Sequence, residues 1–390
     1  TDKSILPVPQ YIDVFVAVAQ LVSDMDIGVA NKAITITSHL PSEAYPKVLE
    51  EMKIALEYNS SSKCNAFEVI ANKSLNYLCN LCMELGYLNY MISELDSEDL
   101  LYQLNILELL SRLAVTAHGI NYLLKNGALQ KISSNINQVK NNSLANLLLP
   151  GYIKFFGCVA HHYPKEIFQK YPVLLDCVFD AIDAGDQPIL PVALDTLGFN
   201  TTITMIILTI LFFISLTGSK YTHTVQSVGE IIKTGTTEMK VSALNCFSSL
   251  ISIETGSTES KPVDPRVTLM AREWFRSLST NPKDVDVLFD TCRSPFPEIK
   301  EAGFKLLDAI CQHKWGDKLV ASTAGFVEYL LDRSIDSSKH LKELKYDVIK
   351  KLSQSLSFHS TITARLVAYV EQGPFYAEPI LQVAMEEGED

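Results

Sequence analysis

The sequence predicts an all-α chain in which short amphipathic helices stack as a solenoid. Three observations predict it. Apolar residues recur at i, i+3, i+4 and i+7 over nearly the whole length, the spacing that gathers them on one face of a helix. Strand signals are scarce, with no Asn-Gly turn between two alternating runs. A helical unit also returns at intervals of roughly 30 to 60 residues, around the ~40–47 of armadillo and HEAT repeats. Such a unit of two or three helices cannot bury its apolar face alone, so neighbours stack and share a core. The reading is a single armadillo/HEAT-like α-solenoid over residues 1–385, a right-handed superhelix of about seven to nine irregular units. Residues 386–390, with the sequence EEGED from 386, read as an acidic disordered tail. A globular helical bundle is the alternative architecture, and the recurrence of the unit weighs against it.

Polar stretches separate the helices in order along the chain: SDMDIG, NSSSKCN, LDSEDL, NQVKNNS, DAGDQP, KTGTTEM, SLSTNPKDV and RSIDSSK. In LLYQLNILELLSRLAVTA, Leu100, Leu104, Leu107, Leu110, Leu113 and Ala114 form one stripe, and Glu108, Ser111 and Arg112 face away. The clearest unit runs from Ile106 to Ile136 and returns from Gly303 to Ser334. Aligning Leu110 with Leu307 sets Gly119 opposite Gly316, Leu123 near Leu319 and Gly127 near Gly325. Each glycine falls where the chain leaves a helix and turns sharply, which calls for a residue tolerant of positive φ. Weaker echoes are SLNYLCNLCMELGYLNYMI, YIKFFGCVAHHYPKEIFQKYP and VSALNCFSSLISIETGS.

Composition narrows the function classes. The chain is 47% hydrophobic and 20% charged, enough apolar surface to fold. Its net charge of −12 opposes a phosphate backbone, and no Lys/Arg cluster breaks that balance, so nucleic acid is excluded as a partner. The cysteines are scattered among apolar positions and no basic, apolar leader opens the sequence, which points to a reducing compartment and free thiols.

Motifs for chemistry are missing. No glycine-rich phosphate loop, HExxH or GxSxG occurs. Cys79-x-x-Cys82 lacks the second ligand pair that a zinc site needs and the βαβ context of a redox pair, so it reads as two buried thiols one turn apart. His161 and His162 are adjacent and point to different faces of one helix end, where a histidine complements the dipole. Trp274 and Trp315 read as core fillers of their repeats. No metal, cofactor or catalytic residue is expected, and solenoids bind along their surfaces.

The last third carries a more specific pattern: AREWFRSLSTNP (Ala271–Pro282), WGDKL (Trp315–Leu319), GFVEYLLDRS (Gly325–Ser334), KYDVIKKL (Lys345–Leu352) and VEQGPFYAEP (Val370–Pro379). In this order the pieces resemble the 26S proteasome non-ATPase regulatory subunit 5 family, assembly chaperones of the proteasome base. VALDTLGFN and KVSALNCFSSLI fit more loosely, and before Leu100 the match is the armadillo pattern. The resemblance implies a non-catalytic, cytoplasmic or nuclear protein that holds a proteasomal ATPase subunit through that subunit's C-terminal region. The precursor would contain a second ATPase and the large non-ATPase base scaffold, and the chaperone would leave before the mature 26S particle forms. A generic armadillo-type interaction scaffold or adaptor is the alternative.

For partner binding, the expected residues are Glu328, Tyr329, Asp332 and Arg333, on and after the helix that follows Gly325. With Leu330 and Leu331 turned inward, Glu328, Asp332 and Arg333 would face solvent, where acidic groups could meet basic ones on an ATPase. Phe375 and Tyr376 in GPFYAEP offer apolar area on a segment stiffened by Pro374 and Pro379. That segment is either a docking arm or a cap over the last repeat.

ITMIILTILFFISL, Ile203 to Leu216, is apolar nearly all round. It is shorter than the ~20 residues of a membrane span and lacks an asymmetric basic flank, so no membrane crossing is expected. Removing residues 201–217 rejoins LGFN to a Gly-Ser turn, and the removed residues are mostly Ile, Leu, Phe, Ser and Thr, many of whose codons are T-rich. The segment reads as a non-native insertion, a retained intron or gene-model error.

Overall fold

The computed structural model describes residues 8–73, 82, 85–139, 145–163, 167, 170–199, 222–253, 265–278, 285–335 and 338–376. Residues 201–217 and 386–390, read from the sequence as an insertion and a tail, lie outside the described residues. Among the described residues all regular structure is helical. The chain divides into two compact units, Thr1–Thr196 and Leu197–Asp390.

The first unit contains α1 (Val8–Gln20), α2 (Ile27–Thr37), α3 (Tyr45–Ala55), α4 (Ser60–Lys73) and α5 (Tyr87–Ser93). It continues through α6 (Leu100–Ala114), α7 (Ala117–Lys125), α8 (Ala128–Val139), α9 (Leu149–His162) and α10 (Pro172–Ala184). The division falls within α11 (Leu190–Phe199). The second unit holds α12 (222–234), α13 (Thr237–Ile251), α14 (Pro265–Ser277), α15 (Val285–Cys292) and α16 (Pro297–Ile310). It ends in α17 (Lys314–Ser322), α18 (Phe326–Leu331), α19 (Lys339–Ser353) and α20 (Ser360–Gln372).

The polar stretches start helices because their side chains replace missing backbone acceptors. Asp26 accepts from the Gly28 and Val29 amides at 2.7 and 3.2 Å. Asp99 accepts from Leu101 and Tyr102 at 3.0 and 3.1 Å, and Ser338 from Leu341 at 3.1 Å. Each such cap stabilises its helix by about 1 kcal/mol.

Within each unit, equivalent helices stack in a row: α4 on α6 on α9 in the first, α13 on α16 on α19 in the second. Burial drives the stacking. Phe67, Ile106, Leu110 and Phe155 are fully buried in the first row, and Phe247, Phe304, Leu307 and Val348 in the second. Each contributes about 1.5–3 kcal/mol relative to exposure. Ion pairs bridge successive helices at the edge of the rows: Arg112 with Glu68 at 3.4 Å, Lys154 with Glu108 at 2.6 Å, and Lys351 with Asp308. Being partly solvated, each is worth about 0–1 kcal/mol and serves register more than stability.

The unit read from the sequence is present as α6–α7–α8 and as α16–α17–α18, which makes this an all-α armadillo/HEAT-like solenoid. The paired glycines correspond, for two different reasons. Gly127 and Gly325 have φ of 71° and 75° and open the third helix of their units. Gly119 and Gly316 do not have positive φ. There a Cβ would lie 2.2 Å from the Leu113 carbonyl oxygen and 2.1 Å from that of Ile310. The second helix therefore starts against the end of the first, closer than any side chain permits.

Two sequence expectations are corrected. Ser111 does not face away; it is buried on α6, and its hydroxyl donates to the Leu107 carbonyl at 2.7 Å, which removes the penalty of burying it. Trp315 is only half-buried and lines a groove, whereas Trp274 is buried as expected. His161 and His162 end α9, both exposed. Cys82 is buried; Cys79 lies outside the described residues.

Candidate interaction surface

The sequence-predicted residues gather around the end of the second unit, where α18, α19 and α20 meet. Gly325, in the left-handed region, launches the short α18, which alternates its exposure sharply. Phe326, Val327, Tyr329 and Leu330 are buried, and Glu328 is exposed. The Glu328 carboxylate lies 3.6 Å from the Arg365 guanidinium on α20, both more than half exposed, so this is a loose, solvated pair.

Tyr329 does not reach the surface. Its hydroxyl donates to the Cys292 carbonyl at the end of α15. Its ring stacks with Phe326 at 6.2 Å and lies 6.1 Å from Phe289. The Arg293 guanidinium covers that cluster, 3.7 Å from the Phe289 ring and 5.0 Å from Tyr329. Tyr329 thus holds α18 in place and leaves Glu328 as the residue presented.

Asp332 ends α18 in an extended conformation and is exposed. Its carboxylate accepts from the Ser334 hydroxyl at 2.6 Å and the Ser334 amide at 2.9 Å. These bonds hold its carboxyl below the usual carboxylate range, so it stays charged. Its carbonyl accepts from the buried Lys345 ammonium of α19, which anchors the loop from beneath.

Arg333 is expected at the surface and instead turns inward. Its guanidinium donates to the Gly373 carbonyl at 2.8 Å, the Tyr369 carbonyl at 3.1 Å and the Gln372 side chain at 3.2 Å. It also lies flat against Tyr369, 3.6 Å from the ring centre, and 5.3 Å from that of Tyr376. The planar fork thereby satisfies carbonyls that the end of α20 leaves open. It ties the following segment to the helix. Phe375 and Tyr376 are then held at the root, 54% and 38% exposed.

The surface so formed offers two carboxylates, Glu328 and Asp332, one cation, Arg365, and two outward aromatic rings. It can make protein contacts: aromatic side chains anchor and rim charges select. Sequence reasoning missed Arg365, Lys345 and Tyr369. Arg365 and Tyr369 sit four residues apart on α20, so their spacing did carry a signal of a shared face.

A family model described as proteasome non-ATPase 26S subunit matches residues 3–390. The chain belongs to that family. The 26S proteasome non-ATPase regulatory subunit 5 of Bos taurus is 30% identical over 352 residues, covering 88% of this chain and 67% of the relative. The protein of that name from Homo sapiens is 30% identical over 356 residues, with the same coverage. Among solved structures, the crystal structure of an engineered protein aligns with a TM-score of 0.55 at 13% identity, covering 93% of this chain and 84% of that one. That likeness bears on the fold alone. Family membership gives this chain a proteasome-related role.

Proposed function

We propose that this chain is a non-catalytic chaperone for assembly of the 26S proteasome regulatory-particle base. It holds an ATPase subunit, through that subunit's C-terminal region, in a precursor with the large non-ATPase scaffold, and leaves before the mature particle forms. It acts in the cytoplasm and needs no cofactor. Family membership over residues 3–390 carries the reading. The geometry is compatible with it in a specific way. Glu328 and Asp332 project from a helix and turn that are locked from below by Tyr329 and Lys345, and Phe375 and Tyr376 stand beside them. A preorganised surface of this kind loses little side-chain entropy on docking. A chaperone covering an ATPase tail also blocks its premature docking on the 20S core by occupying the same surface.

The test is capture from lysate with the whole chain as bait, beside a Glu328→Lys/Asp332→Lys variant. The expected result is recovery of base ATPase subunits and the large scaffold without 20S core or lid, with recovery reduced in the variant. Recovery of no proteasomal subunit would leave only an armadillo-type scaffold. Recovery undiminished in the variant would place the contact elsewhere on the chain.

A further inference from the structure

The second unit carries another surface, of opposite charge and independent of the reading above. Two depressions, of about 280 and 750 Å³, share Lys318 and Ser322 as a common wall along α17. Arg272 and Arg276 of α14 border one of them, and Lys314 the other. All four cations are exposed. Trp315 lies in the groove wall, with its ring 5.5 Å from that of Phe275 and 5.5 Å from that of His313. Its indole Nε1–H has no acceptor among the described residues.

Two features set this groove apart from the rest of the surface. First, Arg272 with Arg276, and Lys314 with Lys318, are both like charges at i and i+4, an arrangement that destabilises a helix by a few tenths of a kcal/mol per pair. Several cations elsewhere face an acid: Lys63 with Glu94, Lys131 with Asp96, Lys154 with Glu108, Lys351 with Asp308. Arg272, Lys314 and Lys318 have no ion-pair partner among the described residues. Second, among the described residues the only acid lining the groove is Asp317, half-buried, with burial raising its carboxyl toward the neutral form. A chain of net charge −12 thus places three cations without an ion pair among the described residues, Arg272, Lys314 and Lys318, around one partly exposed tryptophan.

We infer that this groove is a docking site for an extended acidic peptide segment of a partner protein. Its carboxylates would lie over Arg272 and Lys318, and one apolar or aromatic side chain would rest against Trp315. Charge complementarity names the occupant: an anion meets Arg272 and relieves the Lys314–Lys318 pair, and the flanking indole selects a chain with an apolar side chain between its acids. The overall negative charge of the protein disfavours a long polyanion such as RNA, which would be repelled beyond the groove.

Fluorescence anisotropy of a short labelled peptide, Glu and Asp flanking a single Phe, tests this with the whole chain. A peptide with Lys in place of the acids and a poly(U) strand serve as controls. The expected result is binding of the acidic peptide alone, weakened by added salt and accompanied by a change in tryptophan emission. Binding should fall about tenfold in Arg272→Glu/Lys318→Glu and be unchanged in Lys47→Glu/Lys53→Glu, which alters charge equally on the first unit. Lys318→Gln, a milder change, should weaken binding severalfold and guards against a misfolded double variant. No anisotropy change with the acidic peptide, equal binding of either control, or full binding by both Lys318 variants would overturn the proposal.

Discussion

Single side chains at the end of the second unit do the work that the helices cannot. Arg333 closes three acceptors and two aromatic rings with one planar group. Its replacement by Ala should cost about 2 kcal/mol, from charge-assisted hydrogen bonds and a cation–π contact that are partly shielded from water. Hydrogen exchange of the amides at 369–376 should rise with it, and Lys should not restore protection, because an ammonium cannot lie flat on Tyr369. Wild-type exchange in Arg333→Ala would refute this assignment. His313 makes a second residue-level prediction. Its Nε2 bonds the Ile251 carbonyl at 2.7 Å, so Nε2 carries the proton, and the buried Nδ1 has no partner. Burial therefore lowers its pKa from 6.5, opposed by the Ile251 carbonyl. The sign follows from linkage: above the unfolded value both states are neutral and stability is full. As the pH falls below 6.5 the unfolded chain takes up a proton that the native state refuses, and stability drops until the lowered folded value is passed. Urea midpoints at about pH 7.5 and about pH 5.5 should differ more for the wild type than for His313→Gln. An equal pH dependence in the two proteins would rule out His313 as the source.

At the scale of the helical element, the repeat is enforced by contacts that tolerate no side chain. Gly316→Ala would push a methyl group into the Ile310 carbonyl, and Gly119→Ala one into that of Leu113. Each should destabilise by about 2–4 kcal/mol, since the obstacle is helix backbone rather than a movable side chain. Gly185→Ala, where the space is open and only the φ of 64° resists, should cost about 1–2 kcal/mol. Urea denaturation ranks the three, and a Gly185 variant as damaged as Gly316→Ala would contradict the close-approach account. The correspondence of Gly119 with Gly316 was legible in the sequence, because a repeated unit repeats its tight places. The reason was not: sequence shows that glycine is present, and only the backbone shows whether it serves φ or proximity. The same limit applies to α18. Periodicity placed Leu330 inward and Glu328 outward, as the structure has them, but the inward turn of Arg333 depends on acceptors at the end of α20, 36 to 40 residues further on, and nothing local announces it.

For the molecule as a whole, the all-helical repeat architecture was readable because the 3.6-residue period persists through most of the chain and is fixed by local geometry. The division into two compact units was not. It falls inside α11 with no linker composition to mark it, because compactness is a property of contacts distant in sequence. The cysteines test that organisation. Cys64, Cys82, Cys158 and Cys177 lie in the first unit, and Cys246, Cys292 and Cys311 in the second, all as free thiols that are buried or half-buried. Burial pushes Cys64 up to about 11 and raises Cys158, while Cys311 is driven well above the ordinary range. The thiolate is the reactive species, so at about pH 8 native Cys64 should alkylate on the order of a hundredfold more slowly than in the unfolded chain. With rising urea, the thiols of one unit should become reactive together, because each compact unit opens as a cooperative body. Iodoacetamide labelling followed by peptide mass spectrometry reads every site separately. Cys64 labelled at the unfolded rate in native buffer, or thiols of one unit emerging at scattered urea concentrations, would show that the units are less closed and less cooperative than their packing requires.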